Sequence, residues 1–299
     1  MNATAVHSRR NATSRHARGV TLVELVVTIS LLSIVAVIGA SLMASLAGSQ
    51  RSGVDRLAAS GAADAALRRL SRELQGALPN SVRVARTTSG GIDTVFIEFV
   101  PVLDGGRFRS KVDASAGGSG DPLDLGDPAD DRFDVLGPTV SADAAAGQLV
   151  IQNLGNDLAD AYAGNNRRAG VSLPGGGAQV RFTPNGAFPQ ATDSARFFLV
   201  GTPVTFACEP VALSSGGSGY RLWRLAGYGW NATQPSSLTS GPLASASRAL
   251  VLEPLAGCDA SYSTALANIG LVSARLAMPG GSSGIALPLM AQIAIDNTP

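Results

Sequence analysis

A basic segment meets a long apolar segment at Arg18-Gly19-Val20-Thr21-Leu22-Val23-Glu24-Leu25-Val26-Val27. The apolar segment continues without a charged residue from Leu25 to Ala47. At a rise of about 1.5 Å per residue, a helix of this length can cross a lipid bilayer. Glu24 is the charge near its start, and a charged side chain inside a membrane costs about 3 kcal/mol or more unless it is paired. We therefore expect Glu24 to be functional and to have a cationic partner.

The charges that flank the apolar segment predict its orientation. Four arginines and no acidic residue precede it: Arg9, Arg10, Arg15 and Arg18. By the positive-inside rule, the N-terminus is cytoplasmic and the rest of the chain is exported. In an oxidising compartment, Cys208 and Cys258 are then expected to form a disulfide rather than remain buried thiols. The chain as a whole has 23 basic and 22 acidic residues, which gives no basic field for nucleic acid.

Three interpretations compete for residues 1–47. A secretory signal would be cut after Ser45-Leu46-Ala47, and a plain membrane anchor would remain uncut. In a prepilin signal, a short basic leader ends in glycine, and the helix is retained with a glutamate at the fifth mature position. Gly19 precedes Val20 here, and Glu24 is the fifth residue after that cut. Because neither simpler interpretation explains a carboxylate in the apolar segment, the third is favoured.

The stretch Gly19-Val20-Thr21-Leu22-Val23-Glu24-Leu25 resembles the cleavage and methylation motif of type IV pilins and pseudopilins, with Val20 where phenylalanine is usual. The resemblance implies cleavage after Gly19 by a prepilin peptidase, methylation of the new amino group of Val20, and assembly through Glu24. Elementary electrostatics agrees, because the amine of one subunit can neutralise Glu24 of its neighbour. A slip in register would leave two uncompensated charges in an apolar layer.

The apolar pattern continues beyond the membrane segment at helical spacing and predicts a surface that packs on a partner. Its residues are Val54, Leu57, Leu67, Leu70, Leu74 and Leu78. Pro79 is expected to end the helix. We therefore predict a leader over residues 1–19, a helix over 20–78 and an exported globular domain over 79–299. Within the helix, residues 20–47 are expected to span the membrane, and residues 48–78 are expected to be amphipathic.

The globular domain is predicted to consist of strands and loops, because β-branched and alternating segments are separated by turn residues. The predicted strands are 81–86, 94–100, 107–109, 148–153, 178–182, 195–200, 204–208, 220–225, 249–252, 271–277 and 289–295. Asp104-Gly105-Gly106 is expected to form a tight hairpin turn. The predicted class is α+β and type IV pilin-like, with the long N-terminal helix packed on an antiparallel sheet.

The residue inventory argues against an enzyme and against a cofactor. Both histidines, His7 and His16, lie in the leader, and Lys111 is the sole lysine without a supporting motif. Carboxylate pairs such as Asp130 with Asp131, or Glu98 with Asp104, also lack one. The Gly-rich Pro174-Gly175-Gly176-Gly177 lacks the Lys-Ser/Thr of a phosphate-binding loop. We therefore expect no catalytic residue and no metal site.

Two further segments have alternative interpretations. The aspartates of residues 121–131 could bind calcium, although without EF-hand spacing a solvated loop is favoured. Aromatic and arginine residues concentrate between Tyr220 and Trp230, as they do in binding surfaces. Ordinary strand packing explains the second segment equally simply and is favoured.

Five segments extend the resemblance along the chain to the MshO-type minor pilins of the mannose-sensitive haemagglutinin (MSHA) pilus. They are residues 72–83, 105–109, 133–137, 220–224 and 296–299. The resemblance implies a low-copy subunit that primes or caps a fibre, with other minor and major pilins and an inner-membrane assembly platform as partners. It also implies a single-pass inner-membrane location with a periplasmic C-terminal domain, and a place at the pilus tip. The layout is similar to J-type minor pseudopilins of type II secretion, so a pseudopilin or a tip adhesin for cargo or surface ligands remains the alternative.

Overall fold

The computed structural model describes residues 19–189, 194–212, 217–266, 268–280 and 284–299. The chain divides into two compact units, Met1–Val54 and Asp55–Pro299.

The long helix α1 spans Leu22–Gln75, and a short turn of helix, α2, spans Pro174–Gly177. The strands are β1 Arg83–Ser89, β2 Ile92–Phe99, β3 Val102–Phe108, β4 Arg132–Leu136, β5 Gln148–Ile151, β6 Arg167–Arg168, β7 Gln179–Arg181, β8 Arg196–Val200, β9 Val204–Ala212, β10 Ser218–Ala226, β11 Ser247–Leu255, β12 Gly257–Leu266, β13 Ile269–Met278 and β14 Leu287–Asp296. The 3₁₀ turns are Ala114–Ala116, Ala142–Ala146 and Pro242–Ser245.

The strands form three sheets, and every recorded strand pair is antiparallel. The five-stranded sheet has the order β1-β2-β9-β10-β11, and the three-stranded sheet has the order β12-β13-β14. The six-stranded sheet has the order β6-β5-β8-β3-β4-β7. A long apolar helix followed by antiparallel sheets confirms the predicted α+β class.

One buried core joins α1 to two of the sheets. Its helical members lie three or four residues apart on one face: Ala63, Ala66, Leu67, Leu70 and Leu74. They pack with side chains of the five-stranded and three-stranded sheets, among them Phe206 and Val272. The predicted apolar stripe is therefore correct at its C-terminal end. At its N-terminal end the predicted stripe begins too early. Leu57 is 74% exposed, and Ala59 is the first helical residue that packs on this core.

The six-stranded sheet has a second core of its own. Four phenylalanine rings fill it, with Phe133 at the centre and contacting Phe108, Phe182 and Phe197 at centroid distances of 5.0 to 6.3 Å. Such tilted and edge-on pairs favour one packing arrangement over others, because the positive ring edge meets the negative ring face. Among the described residues, this core contains no residue of α1.

Helix α1 ends at Gln75, three residues before the predicted end. The Ala77 N–H still donates to the Leu74 carbonyl, but the Leu78 N–H donates to the Val100 carbonyl at 2.8 Å. The chain has thus left the helix before Pro79 and begun to pair with the segment after β2. Gly76, a poor helix former, lies at this exit.

The predicted hairpin turn at Asp104-Gly105-Gly106 is wrong. These residues lie inside β3 and pair with Phe197 to Leu199 of β8. A Cβ on Gly105 would lie 2.8 Å from the Phe197 carbonyl oxygen, so the glycine permits a close approach of two strands rather than a turn. The tight turn is at Gly90-Gly91, which join β1 to β2 with φ values of +58° and +78°.

Most of the other predicted strands are confirmed with shifted ends, whereas β4, β6 and β12 were not predicted. In β12, the buried Cys258 and Ala260 alternate with the outward-facing Asp259 and Ser261. Small and polar residues have weak strand propensity, which hid this alternation. The strand forms because the core of the neighbouring sheets covers its apolar face.

Candidate assembly site and exported domain

The candidate assembly site lies at the start of α1. Gly19 and Val20 are exposed just before the helix, and Glu24 is exposed in its first turn. The Glu24 N–H donates to Thr21 Oγ1 at 3.3 Å, and the Leu25 N–H donates to the Thr21 carbonyl at 3.1 Å. Thr21 therefore caps the helix, and Thr21-x-x-Glu24 has the spacing of a capping box.

The Glu24 carboxylate makes no ion pair with any residue that the structure describes. A carboxylate at this position is favoured by the positive end of the helix dipole, but that effect is small. The leader residues 1–18, including both histidines and all four leader arginines, lie outside the described residues. Within the described part of the chain, Glu24 thus has a helix terminus and no counter-charge.

The first half of α1 presents an apolar surface on all sides. From Val20 to Leu46, every large apolar side chain is at least half exposed. Among the described residues, α1 is the helix long and apolar enough to cross a membrane. Exposed apolar surface of this extent is stable only in lipid or against other apolar helices. The site therefore begins a segment suited to a membrane and to packing with copies of similar helices.

A disulfide joins Cys208 of β9 to Cys258 of β12, with a sequence separation of 50 residues. Both residues are buried in the core that also contains the helical face of α1. The bond links the five-stranded sheet to the three-stranded sheet, which are separate sheets in the described structure. It therefore fixes the two sheets that cover the helix.

The Tyr220–Trp230 segment is used inside the domain. Arg224 Nε donates to Glu73 Oε2 at 2.7 Å, which ties β10 to α1. Trp223 Nε1 donates to Glu209 Oε2 at 2.7 Å, and Arg221 pairs with Glu253 of the adjacent strand. Strand packing and cross-strand ion pairs thus account for these side chains, as the simpler interpretation expected.

A buried polar cluster surrounds Glu98 of β2 and was not predicted from the sequence. The Glu98 side chain is 0% exposed, and its carboxylate accepts from Arg83 Nε at 2.6 Å and from the Tyr228 hydroxyl at 2.8 Å. The Tyr228 oxygen also lies 2.7 Å from Thr205 Oγ1. Burial, the largest effect, raises the pKa of Glu98, whereas Arg83 and Tyr228 act in the opposite direction. A sequence signal for the Arg83–Glu98 pair does exist. Across β1 and β2, Arg83 lies opposite Glu98, and Ala85, two residues on, lies opposite Phe96.

The raised pKa of Glu98 predicts a pH-dependent stability. The native state binds the Glu98 proton more tightly than the unfolded chain, so this stabilisation is full below the ordinary glutamate pKa of 4.5 and is lost as pH rises through the raised value. As pH rises over that range, we expect the free energy of unfolding of wild type to fall relative to that of Glu98→Gln. Urea unfolding of both proteins from pH 4 to pH 8 measures it. A difference that moves in favour of wild type with rising pH would contradict the assignment.

The acidic residues between Asp121 and Asp131 bond to nearby backbone and to arginine. Asp124 Oδ1 accepts the Gly126 N–H and Asp127 Oδ1 accepts the Ala129 N–H, each at 2.9 Å. Asp131 pairs with Arg132 at 2.7 Å. Within the described ranges, no group of three or more His, Cys, Asp or Glu residues could hold a metal ion.

The carboxylate pairs considered from sequence are not brought together for catalysis. Glu98 is buried against Arg83, whereas Asp104 accepts the Ser141 N–H at 2.7 Å and the Gly105 N–H at 2.7 Å. Lys111 is exposed. Glu98 and Asp104 therefore each have separate partners in the described structure.

Comparison with known families finds one short match. A family profile for the prokaryotic N-terminal methylation motif matches residues 14–40. No curated protein and no solved structure matches the chain. The motif is type IV prepilin-like, and it coincides with the start of an exposed apolar helix that leads into antiparallel sheets. It supports a protein of the pilin and pseudopilin class, which implies processing by a prepilin peptidase and assembly with other pilins.

Proposed function

We propose that the chain is a minor subunit of a type IV pilus of the MSHA kind that primes or caps fibre assembly. The methylation motif at the start of the exposed apolar helix carries this proposal. The prepilin peptidase removes residues 1–19, and the mature protein begins at Val20. Its helix then holds the periplasmic domain at the inner membrane until the assembly platform inserts the subunit into the fibre tip.

In this account, Glu24 of the subunit accepts the α-amino group of a neighbouring pilin. The exposed carboxylate in the first helical turn supports this role, because no counter-charge is found for it among residues 19–299 as described. Two opposite charges in an apolar layer stabilise each other only when they are in contact. The pair therefore specifies the axial register of the incoming subunit.

The alternative is a minor pseudopilin of type II secretion or a tip adhesin. The segment resemblance to MshO-type minor pilins favours the pilus. A domain with three sheets and a core independent of the helix would also suit the binding of cargo or of a surface ligand.

Deleting the gene tests the proposal. We expect the number of fibres per cell to fall, and a plasmid copy of the wild-type gene to restore it. Secretion and surface adhesion are measured in the same strains, with adhesion corrected for fibre number. Normal fibre numbers with lost adhesion or lost secretion would overturn the assembly role and favour the alternative.

A further inference from the structure

A cleft of about 360 Å³ opens beside β6, at the edge of the six-stranded sheet. Two consecutive arginines, Arg167 and Arg168, line it. Gln148, Thr183 and Asn185 contribute polar groups, and no acidic residue is among the lining residues. The charged side chains that line the cleft are therefore both positive.

Arg168 provides a fixed positive charge at this cleft. Its side chain is 1% exposed, and its guanidinium lies 4.1 Å from the centre of the Phe188 ring. Four backbone carbonyls accept its N–H groups at 2.9 to 3.0 Å, from Asn165, Arg167, Gly186 and Ala187. Neutral carbonyls hold the side chain in place but do not cancel its charge. Its Nε is buried without an acceptor in the described structure.

Arg167 has hydrogen-bond donors that no described residue accepts, and one of them, Nη1, is buried. Its guanidinium stacks on the Trp230 ring at 3.8 Å and makes no hydrogen bond or ion pair with any described residue. Burial lowers the pKa of Arg167 to about 10, and Asp160 acts against that effect from beyond ion-pair distance. The side chain is therefore still charged at neutral pH. The aromatic ring fixes the plane of the guanidinium while its N–H groups lack acceptors.

Other arginines with similar exposure differ from Arg167. Arg83, Arg109 and Arg224 have side chains that are partly buried, and each faces a carboxylate within 3.4 Å. A partly buried guanidinium without a counter-ion is costly, because burial penalises the charged form. Two adjacent ones are more costly still, since like charges repel. An anion bound in the cleft would supply the missing counter-ion and would offset the repulsion between the two arginines.

We propose that this cleft binds a small oxyanion, a carboxylate or sulfate group, through the Nε and Nη2 edge of the Arg167 guanidinium, since Nη1 is buried. Arginine matches such groups with two parallel N–H···O bonds. The positive charge of the buried Arg168 adds electrostatic attraction for the anion. The polar residues Thr183 and Asn185 can form hydrogen bonds with neutral hydroxyl groups of the ligand. The volume lies at the small end of ligand pockets, which suits a single acidic sugar.

The test uses the mature full-length protein in detergent and a chloride-free buffer. The probes are glucuronate, inorganic sulfate and uncharged glucose, with binding measured by calorimetry. Fluorescence in a Trp223→Phe background gives a second signal, because Trp230 is then the sole tryptophan. We expect saturable binding of at least one anion, quenching or enhancement of Trp230 emission, and no response to glucose. Tighter binding of glucuronate identifies a sugar acid, and tighter binding of sulfate identifies a sulfate group.

Matched variants separate the cleft from general charge effects. Arg167→Gln is expected to weaken anion binding about tenfold or more, since a hydrogen bond to a charged group is lost. Arg167→Lys keeps the charge without the fork and should also weaken binding. Arg275→Gln removes the same charge from exposed β13 and should bind as wild type does. Thermal melting of each variant confirms that it is folded.

Three results would overturn the proposal: no saturable signal with either anion, equal binding of glucose, or folded Arg167→Gln that binds as tightly as wild type. The experiment does not depend on fibre assembly. Failure here therefore leaves the proposed pilin function intact, and loss of fibres in the deletion strain says nothing about the cleft.

Discussion

A Glu24→Ala subunit is expected to remain in the inner membrane and to enter fibres at least about tenfold less than wild type. In the proposed assembly the Glu24 carboxylate pairs with a neighbour's α-amino group, and its loss leaves an uncompensated buried charge that costs roughly 3 kcal/mol or more. Membrane insertion should be unchanged, since the apolar helix is intact. Immunoblots of sheared fibres and of membranes measure the two pools.

Two matched variants separate charge from helix capping. Gln at position 24 can still take part in a capping box but has no charge, so Glu24→Gln should fail as Glu24→Ala does. Thr21→Ala removes the cap that accepts the Glu24 N–H and keeps the charge. Its cost is about 1 kcal/mol of local helix stability, and we expect near-normal assembly. Assembly of Glu24→Gln at the wild-type level would refute the charge pairing.

Removal of the Cys208–Cys258 disulfide is the second large effect that we expect. In the chain-entropy account, opening a loop with a separation of 50 residues lowers the free energy of unfolding by about 4 kcal/mol. For a domain of this size, that corresponds to a melting temperature lower by roughly 8 to 16 °C. Thermal melts of wild type and of the Cys208→Ala/Cys258→Ala protein give the comparison.

Reductant provides the control for this experiment. Wild type melted in dithiothreitol should approach the double alanine variant, whereas the variant itself should not respond. Since both sulfur atoms are buried in the core, alanine also leaves a small cavity, and the reduced wild type isolates the contribution of the bond. Equal melting of oxidised and fully reduced wild type would show that the bond does not stabilise the domain.

Local patterns predicted much of the fold. Segments with β-branched residues, such as β2 and β9, and the membrane-length start of α1 were predicted from sequence because their apolar periodicity is strong. Interactions between distant residues decide the rest. Gly105 was assigned to a turn because its approach to Phe197 is visible only in three dimensions.

The candidate sites also differ in whether local sequence or contacts between distant residues define them. Gly19, Val20 and Glu24 are adjacent in sequence, so a short motif was enough to single them out. Glu98 meets Tyr228 across 130 residues, and Arg167 meets Trp230 across 63 residues. Single residues of common types carry no signal until the fold brings them together. The contact of Glu98 with Tyr228 and the cleft at Arg167 therefore required the structure.

The N-terminal mass of the protein extracted from membranes tests the central claim most directly. Cleavage after Gly19 predicts a mature chain that begins at Val20, with or without one added methyl group. Mass spectrometry of the intact protein and of its N-terminal peptide distinguishes these forms. A chain that begins at Met1, as an uncut anchor would, or at Gly48, as a secretory signal would leave it, would contradict the account.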